Sequence, residues 1–406
     1  MDIILTVLFA GFCFLFLDGI SVDKIFHGYT TLIVLYALIL AFFIMIEIRN
    51  KNFKVKQTLN LKLFSIIAGL YFLNIFRLSN EVDVGIRIVA FLFIAFANAY
   101  FIRKYSMTLR YLVIFYFVSF AFVFKQFSDA GFPMDAYQRL SSIFGQDRGR
   151  VVFGFYHVNA AGNLGSCLLL ISFLIIGILK DKYYGKKINI AMAVIFGMDF
   201  IIISYLLATG SRTAILSIIL WVTIYMYYKL SLLNNIARRQ TKYRVLFRFV
   251  TIVIVTFVVI GSLLETAVSL FVTSNRLRNF IRNLPLLDSP IKKLFGLGVL
   301  SPGSVSVYDA VDNYYLYILL TLGIIGLIVI AYCLVTIGIK LHRRVIETEN
   351  KLYAMVFAVY ACQMISGLSE NCILYYIFPS SLIYFLLYFV FLDEDYNIGI
   401  YKVNLQ

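Results

Sequence analysis

Apolar runs of membrane-spanning length recur along the whole chain, separated by short clusters of lysine and arginine. A helical run of about 20 apolar residues crosses a hydrocarbon core of ~30 Å. Inside lipid the backbone must satisfy its own hydrogen bonds, so such a run is a helix or part of a closed barrel. Barrel strands alternate in hydrophobicity over about 10 residues, and these runs do not. Composition agrees. The 406 residues are 62% hydrophobic and 14% charged, against about 25% charged for a soluble domain. The chain therefore reads as all-α, a polytopic integral membrane helical bundle. Twelve spans are expected, near 3–20, 29–48, 61–77, 84–102, 109–126, 157–179, 188–208, 211–229, 247–268, 313–338, 352–369 and 373–392. They form a single transmembrane domain over 1–406, with longer loops at 128–156 and 271–312. No repeat or low-complexity linker divides it.

Lysine and arginine gather on the cytoplasmic side of membrane proteins. With the N-terminus inside, 23 of the 36 basic residues fall on inner segments, and twelve spans bring both termini to the cytoplasm. The net charge of +15 thus reflects orientation, and no nucleic-acid partner is expected. Met1-Asp2 carries no basic leader and no small-residue cleavage pattern follows, so the first helix is expected to be retained. Cys13, Cys167, Cys333, Cys362 and Cys372 lie in or beside apolar runs without a C-x-x-C pair. They suggest neither disulfides nor a zinc site.

The two long outer loops are basic against the orientation trend. Arg139, Arg148 and Arg150 lie in one, and Arg276, Arg278, Arg282, Lys292 and Lys293 in the other. A guanidinium suits bidentate contact with phosphate; solvated loop charges or anchors on anionic lipid are the plainer explanation of any single one.

Four outer-face motifs stand out. Arg148 to Asn163 leads into an apolar run and carries Gly154, His157, Asn159 and Gly162. His157 is suited to proton transfer near neutral pH, and Asn159 and Asn163 share a helix face. An interfacial helix cap at Asn159 is the structural alternative. In Thr209-Gly210-Ser211-Arg212-Thr213, Arg212 opposes the dipole of the helix it opens, so it calls for an anionic partner. In the third, Gly296-x-Gly298 precedes Asp312-Asn313-Tyr314 and Gly323-Ile324-Ile325-Gly326. Asp312 is either a base or the cap of the next helix. In Gly367-Leu368-Ser369-Glu370-Asn371, Glu370 is a base, an arginine counter-ion or an exposed turn residue. No phosphate-binding glycine loop, dinucleotide fingerprint or H-E-x-x-H zinc motif occurs. No cofactor is expected, and no metal.

Taken together, these four motifs resemble the O-antigen polymerase and ligase superfamily, and among its members the Wzy-type polymerases of surface-polysaccharide repeat units. The resemblance covers about 150–380; the earlier spans match only in being spans. Where many members, notably ligases, have His-Asn before the late span, this chain has Asp312-Asn313. The resemblance implies a GT-C-like bundle in a bacterial cytoplasmic membrane, acting on its outer face as an inverting, metal-independent glycosyltransferase. Its substrate would be a polyprenyl-diphosphate-linked oligosaccharide, with a flippase and a chain-length regulator as partners beside the lipid bilayer. Arg148, Arg150, Arg212, Arg278 and Arg282 would hold the diphosphate. His157, Asp312 and Glu370 would compete for the base role, and Asn159 and Asn313 would position hydroxyls. A ligase moving glycan to another acceptor is the neighbouring alternative. A lipid-linked oligosaccharide flippase or transporter would need charges deep in spans, where Arg87 and Asp199 are the main candidates. A scaffold without chemistry is the remaining one.

Overall fold

The structure, a computed structural model, describes residues 1–19, 29–50, 59–78, 81–133, 151–155, 158–184, 186–236, 281–305, 311–348, 350–375, 377–392 and 403–404. The long helices are α1 (Asp2–Gly19), α2 (Tyr29–Arg49), α3 (Leu59–Leu78), α4 (Val82–Tyr105), α5 (Thr108–Asp129), α6 (Val158–Lys182), α7 (Lys186–Thr209) and α8 (Arg212–Ile236). After them come the short α9 (Pro290–Phe295) and α10 (Pro302–Val305), then α11 (Tyr314–Thr348), α12 (Lys351–Ser366) and α13 (Pro379–Phe391). A two-residue parallel bridge between Tyr183–Tyr184 and Val403–Asn404 is the extent of β structure among the described residues.

Seven described helices are long and apolar enough to cross a membrane: α2, α4, α5, α6, α7, α8 and α11. Three shorter apolar stretches lie at Leu59–Ile75, Lys351–Ser366 and Pro379–Phe391. The chain is a polytopic helical membrane protein. The expected span at 247–268 lies outside the described residues. The last expected span is corrected: among the described residues, 373–375, 377 and 378 are not helical, and the helix starts at Pro379. Proline fits there because the first helical position needs no backbone donor.

The chain divides into two compact units. The first comprises Met1–Ala68, Ile86–Ile215 and Leu374–Gln406. Aromatic rings pack α1 on its neighbours, with Phe9 4.4 Å from Tyr111 and Phe12 stacked 4.2 Å from Tyr36. Several polar side chains are buried here with partners matched to them. Asp199, deep in α7, accepts from Tyr116 of α5 and Ser172 of α6, each at 2.8 Å. Asn98 accepts from Tyr36 at 3.2 Å and donates to the Ile94 carbonyl at 2.9 Å. Asn60 at the start of α3 donates to the Phe389 carbonyl at 2.6 Å.

The second unit comprises Gly69–Gly85 and Leu216–Ile373. Its spine is α11, which breaks at Gly323 (φ 70°, ψ −169°). The break frees carbonyls that an unbroken helix would use, and the chain before α11 takes them. Leu297 N–H donates to Leu320 O at 2.7 Å and Gly298 N–H to Thr321 O at 2.9 Å. Irregular backbone inside an apolar helix is tolerated where protein satisfies it, and the glycine segment does so. Helix α12 is fixed by Trp221, whose indole donates to Met355 O at 3.2 Å, and by Ser217 against Ser366 at 2.8 Å.

Candidate functional site

Four of the sequence-derived candidates, Arg148, Arg150, His157 and Arg278, lie outside the described residues. The other six fall in two sets, one in each unit.

The first set surrounds the start of α6. Phe153 (φ 51°) and Gly154 (φ 74°) are successive left-handed residues, and Phe155 N–H donates to Val152 O at 3.1 Å. That is the arrangement of a tight primed turn. The strain of this backbone at a phenylalanine is offset by its ring, which stacks 4.3 Å from Tyr205 and stands 6.0 Å from Phe127. Val151 N–H reaches Ala208 O at the end of α7, at 3.2 Å. Helix α6 begins at Val158, so Asn159 lies in its first turn. Its Oδ1 accepts from the Ser211 hydroxyl at 3.1 Å. Gly162, one turn on, lets the backbones meet: a Cβ there would be 2.5 Å from Ser211 Cβ. Arg212, partly exposed, is the first residue of α8 and directly follows that contact. Asn163 accepts from the Ser380 hydroxyl in the first turn of α13. The two asparagines do share a helix face, and each is engaged by a serine.

The second set lies where α11 begins and α12 ends. Asn313, not Asp312, is the cap of α11, which removes the capping alternative for Asp312. Its Oδ1 accepts from Leu316 N–H at 2.9 Å, three residues on. Its Nδ2 donates to Leu368 O at 2.7 Å, and Tyr314 N–H donates to Gly367 O at 2.9 Å. The first turn of α11 is thus stitched to the turn that carries Glu370. Asp312 is partly exposed, one residue before the cap. Glu370 is only 5% exposed, which removes its reading as an exposed turn residue. Cys372 is buried beside it, and burial pushes its thiol well above the ordinary range. Arg282 is exposed, just before the 3-10 turn Leu284–Leu286.

Two contributors were missed in the sequence. Glu81 accepts from Ser301 N–H at 2.6 Å and from the Ser304 hydroxyl, fixing the segment between Gly298 and α10. Asn371 is buried, with both polar atoms of its carboxamide unpaired among the described residues. Glu81 stands in none of the four motifs and Asn371 stands in the fourth without a role of its own, since pairing and burial are tertiary properties.

The fold and the two sets define a polytopic helical membrane protein with polar groups at helix starts and turns. Compared with known proteins, the chain matches no family model and no curated protein.

Proposed function

We propose that the chain is a Wzy-type polymerase of surface-polysaccharide repeat units, working on the outer face of a bacterial cytoplasmic membrane. On this reading it has twelve spans, cytoplasmic termini and a GT-C-like bundle. The substrate is a polyprenyl-diphosphate-linked oligosaccharide. The hydroxyl oxygen of one lipid-linked repeat unit attacks the anomeric carbon of the growing glycan. The bond from that carbon to the diphosphate breaks, and the diphosphate leaves with the electron pair. The hydroxyl proton passes to a carboxylate or imidazole base. Negative charge grows on the leaving group, and guanidinium groups stabilise it.

The observation that carries this reading is the Asn313 clamp. It ties Asn313, the residue after Asp312, to Leu368 in the turn that carries Glu370. Asp312, Glu370 and His157 remain the base candidates. Arg212, Arg148, Arg150, Arg278 and Arg282 are assigned to the diphosphate. Asn313 and Asn159 act as positioning residues, since the former is committed to Leu316 and Leu368 and the latter to Ser211. Orienting two reactants tethered in one membrane lowers the entropic part of the barrier.

The test is Arg212→Ala in cells lacking the native gene, with polymer length read on a gel. Loss of long polymer at normal protein level is expected. Full-length polymer removes Arg212 from the diphosphate role.

A further inference from the structure

Asn371 is 4% exposed, and neither its Nδ2 nor its Oδ1 has a hydrogen-bond partner among the described residues. Leaving a buried amide unpaired is costly. Folds keep such groups where a ligand or bound water completes them. The backbone around it is fixed. Glu370 N–H donates to Ser366 O at 2.8 Å. The Gln363 amide then forks to Cys372 O at 3.0 Å and Ile373 O at 3.1 Å. Residue 371 is therefore pinned on both sides, and Gln363 is itself 3% exposed. The same turn accepts Asn313 at Leu368 O. A preorganised loop thus carries one buried, unpaired neutral group that both donates and accepts, directly after a buried carboxylate residue, Glu370.

That chemistry selects a class of ligand. A diphosphate only accepts, so it would leave Oδ1 unmatched. A cation would leave Nδ2 unmatched. A sugar hydroxyl donates and accepts at once, and two neighbouring hydroxyls can pair both ends of a carboxamide. We infer that Asn371 is a specificity-determining residue that binds ring hydroxyls of the acceptor repeat unit, next to Glu370. This rests on the polymerase reading for the identity of the acceptor. The hydroxyl recognition itself rests on the unpaired amide.

The experiment uses the purified full-length protein and lipid-linked oligosaccharide extracted from the source organism's membranes. Glycan freed from that lipid by mild acid is the binding probe. Asn371→Leu removes both polar ends, and Asn371→Asp keeps the shape while removing the donors. Both variants are expected to raise the acceptor KM by roughly tenfold or more. The melting temperature should not fall in Asn371→Leu, because an unpaired amide is removed. Binding of freed glycan, followed by saturation-transfer NMR, should weaken in parallel. Wild-type KM and wild-type glycan binding in both variants overturn the inference and leave Asn371 as a water site. If the wild-type protein binds glycan through Asn371 yet elongates nothing, the inference stands and the polymerase reading fails. If a variant melts early, the Asn371→Asp binding measurement decides alone.

Discussion

Asn313 and Leu368 are joined by a 2.7 Å hydrogen bond from the asparagine Nδ2 to the leucine carbonyl. The same side chain caps α11 through its Oδ1. One residue therefore starts a helix and fixes the turn that carries Glu370. The two duties separate by substitution. Asn313→Asp keeps the cap and loses the donor to Leu368. Asn313→Ala loses both. The cap is worth about 1 kcal/mol, while Leu368 is exposed, so water can take its freed carbonyl at little cost. We expect Asn313→Asp to melt near the wild type with polymer output reduced, and Asn313→Ala to lose both. Thermal melts in detergent, alongside polymer gels, check the separation.

Gly296 and Gly323 meet at the break in α11. A Cβ on Gly296 would stand 2.3 Å from Thr321 O, and one on Gly323 2.4 Å from Leu294 O. Their φ values are 76° and 70°. Alanine at either site faces a left-handed backbone, worth about 1–3 kcal/mol of strain, as well as the clash. Both lesions are relieved by the same separation of the two segments. The double variant should therefore lose less stability than the two single losses added together. A double-mutant cycle of melting temperatures tests this, and additive losses would mean the two glycines act independently.

Gly162 is the contact point of α6 with the turn before α8. Its added Cβ would press on Ser211 Cβ, which belongs to a residue already bonded to Asn159. Gly162→Ala should push the two apart, costing about 1–3 kcal/mol as overpacking does. Polymer output should fall more than protein level, because Arg212 follows Ser211 directly. Comparing the two quantities in one strain distinguishes a displaced Arg212 from simple unfolding.

Asp199 looked, from sequence, like a charge that a transporter would need. In the fold it accepts from Tyr116 and Ser172 and ties α5, α6 and α7 together. An asparagine side chain at this position keeps one acceptor, and the second hydroxyl can turn to accept from the new amide. Asp199→Asn should thus leave polymer output near wild type. Asp199→Ala removes the acceptor shared by α5 and α6 and should lower the protein level modestly, since Ser172 keeps Leu169 O at 2.8 Å and Tyr116 keeps Ile195 O at 3.4 Å. Loss of function in a well-folded Asp199→Asn would point instead to a proton-carrying role.

The helices were legible because lipid burial writes itself into composition: runs such as 164–179 carry no charged residue and are mostly apolar. Their irregular parts were not. The sequence from Ile373 is apolar enough to continue a span, yet Gln363, ten residues upstream, takes the carbonyls of Cys372 and Ile373, and the helix starts only at Pro379. The break at Gly323 depends on a partner segment at 296–298, more than twenty residues earlier in the chain. At the candidate site, residue types pointed to Asp312, Asn313 and Glu370. Which of the first two caps α11 was decided by geometry, since both residue types favour the position. Asn371 was visible as a letter in a motif, but its burial and unpaired amide arise only from tertiary packing.

Polymerase activity is read most directly by reconstituting the purified protein with lipid-linked repeat units as the only donor and only acceptor. A ladder of lipid-linked products rising by one repeat unit is expected, with polyprenyl diphosphate released at each step. A protein that is folded and binds these substrates, yet yields no product longer than a single repeat unit, is not a polymerase.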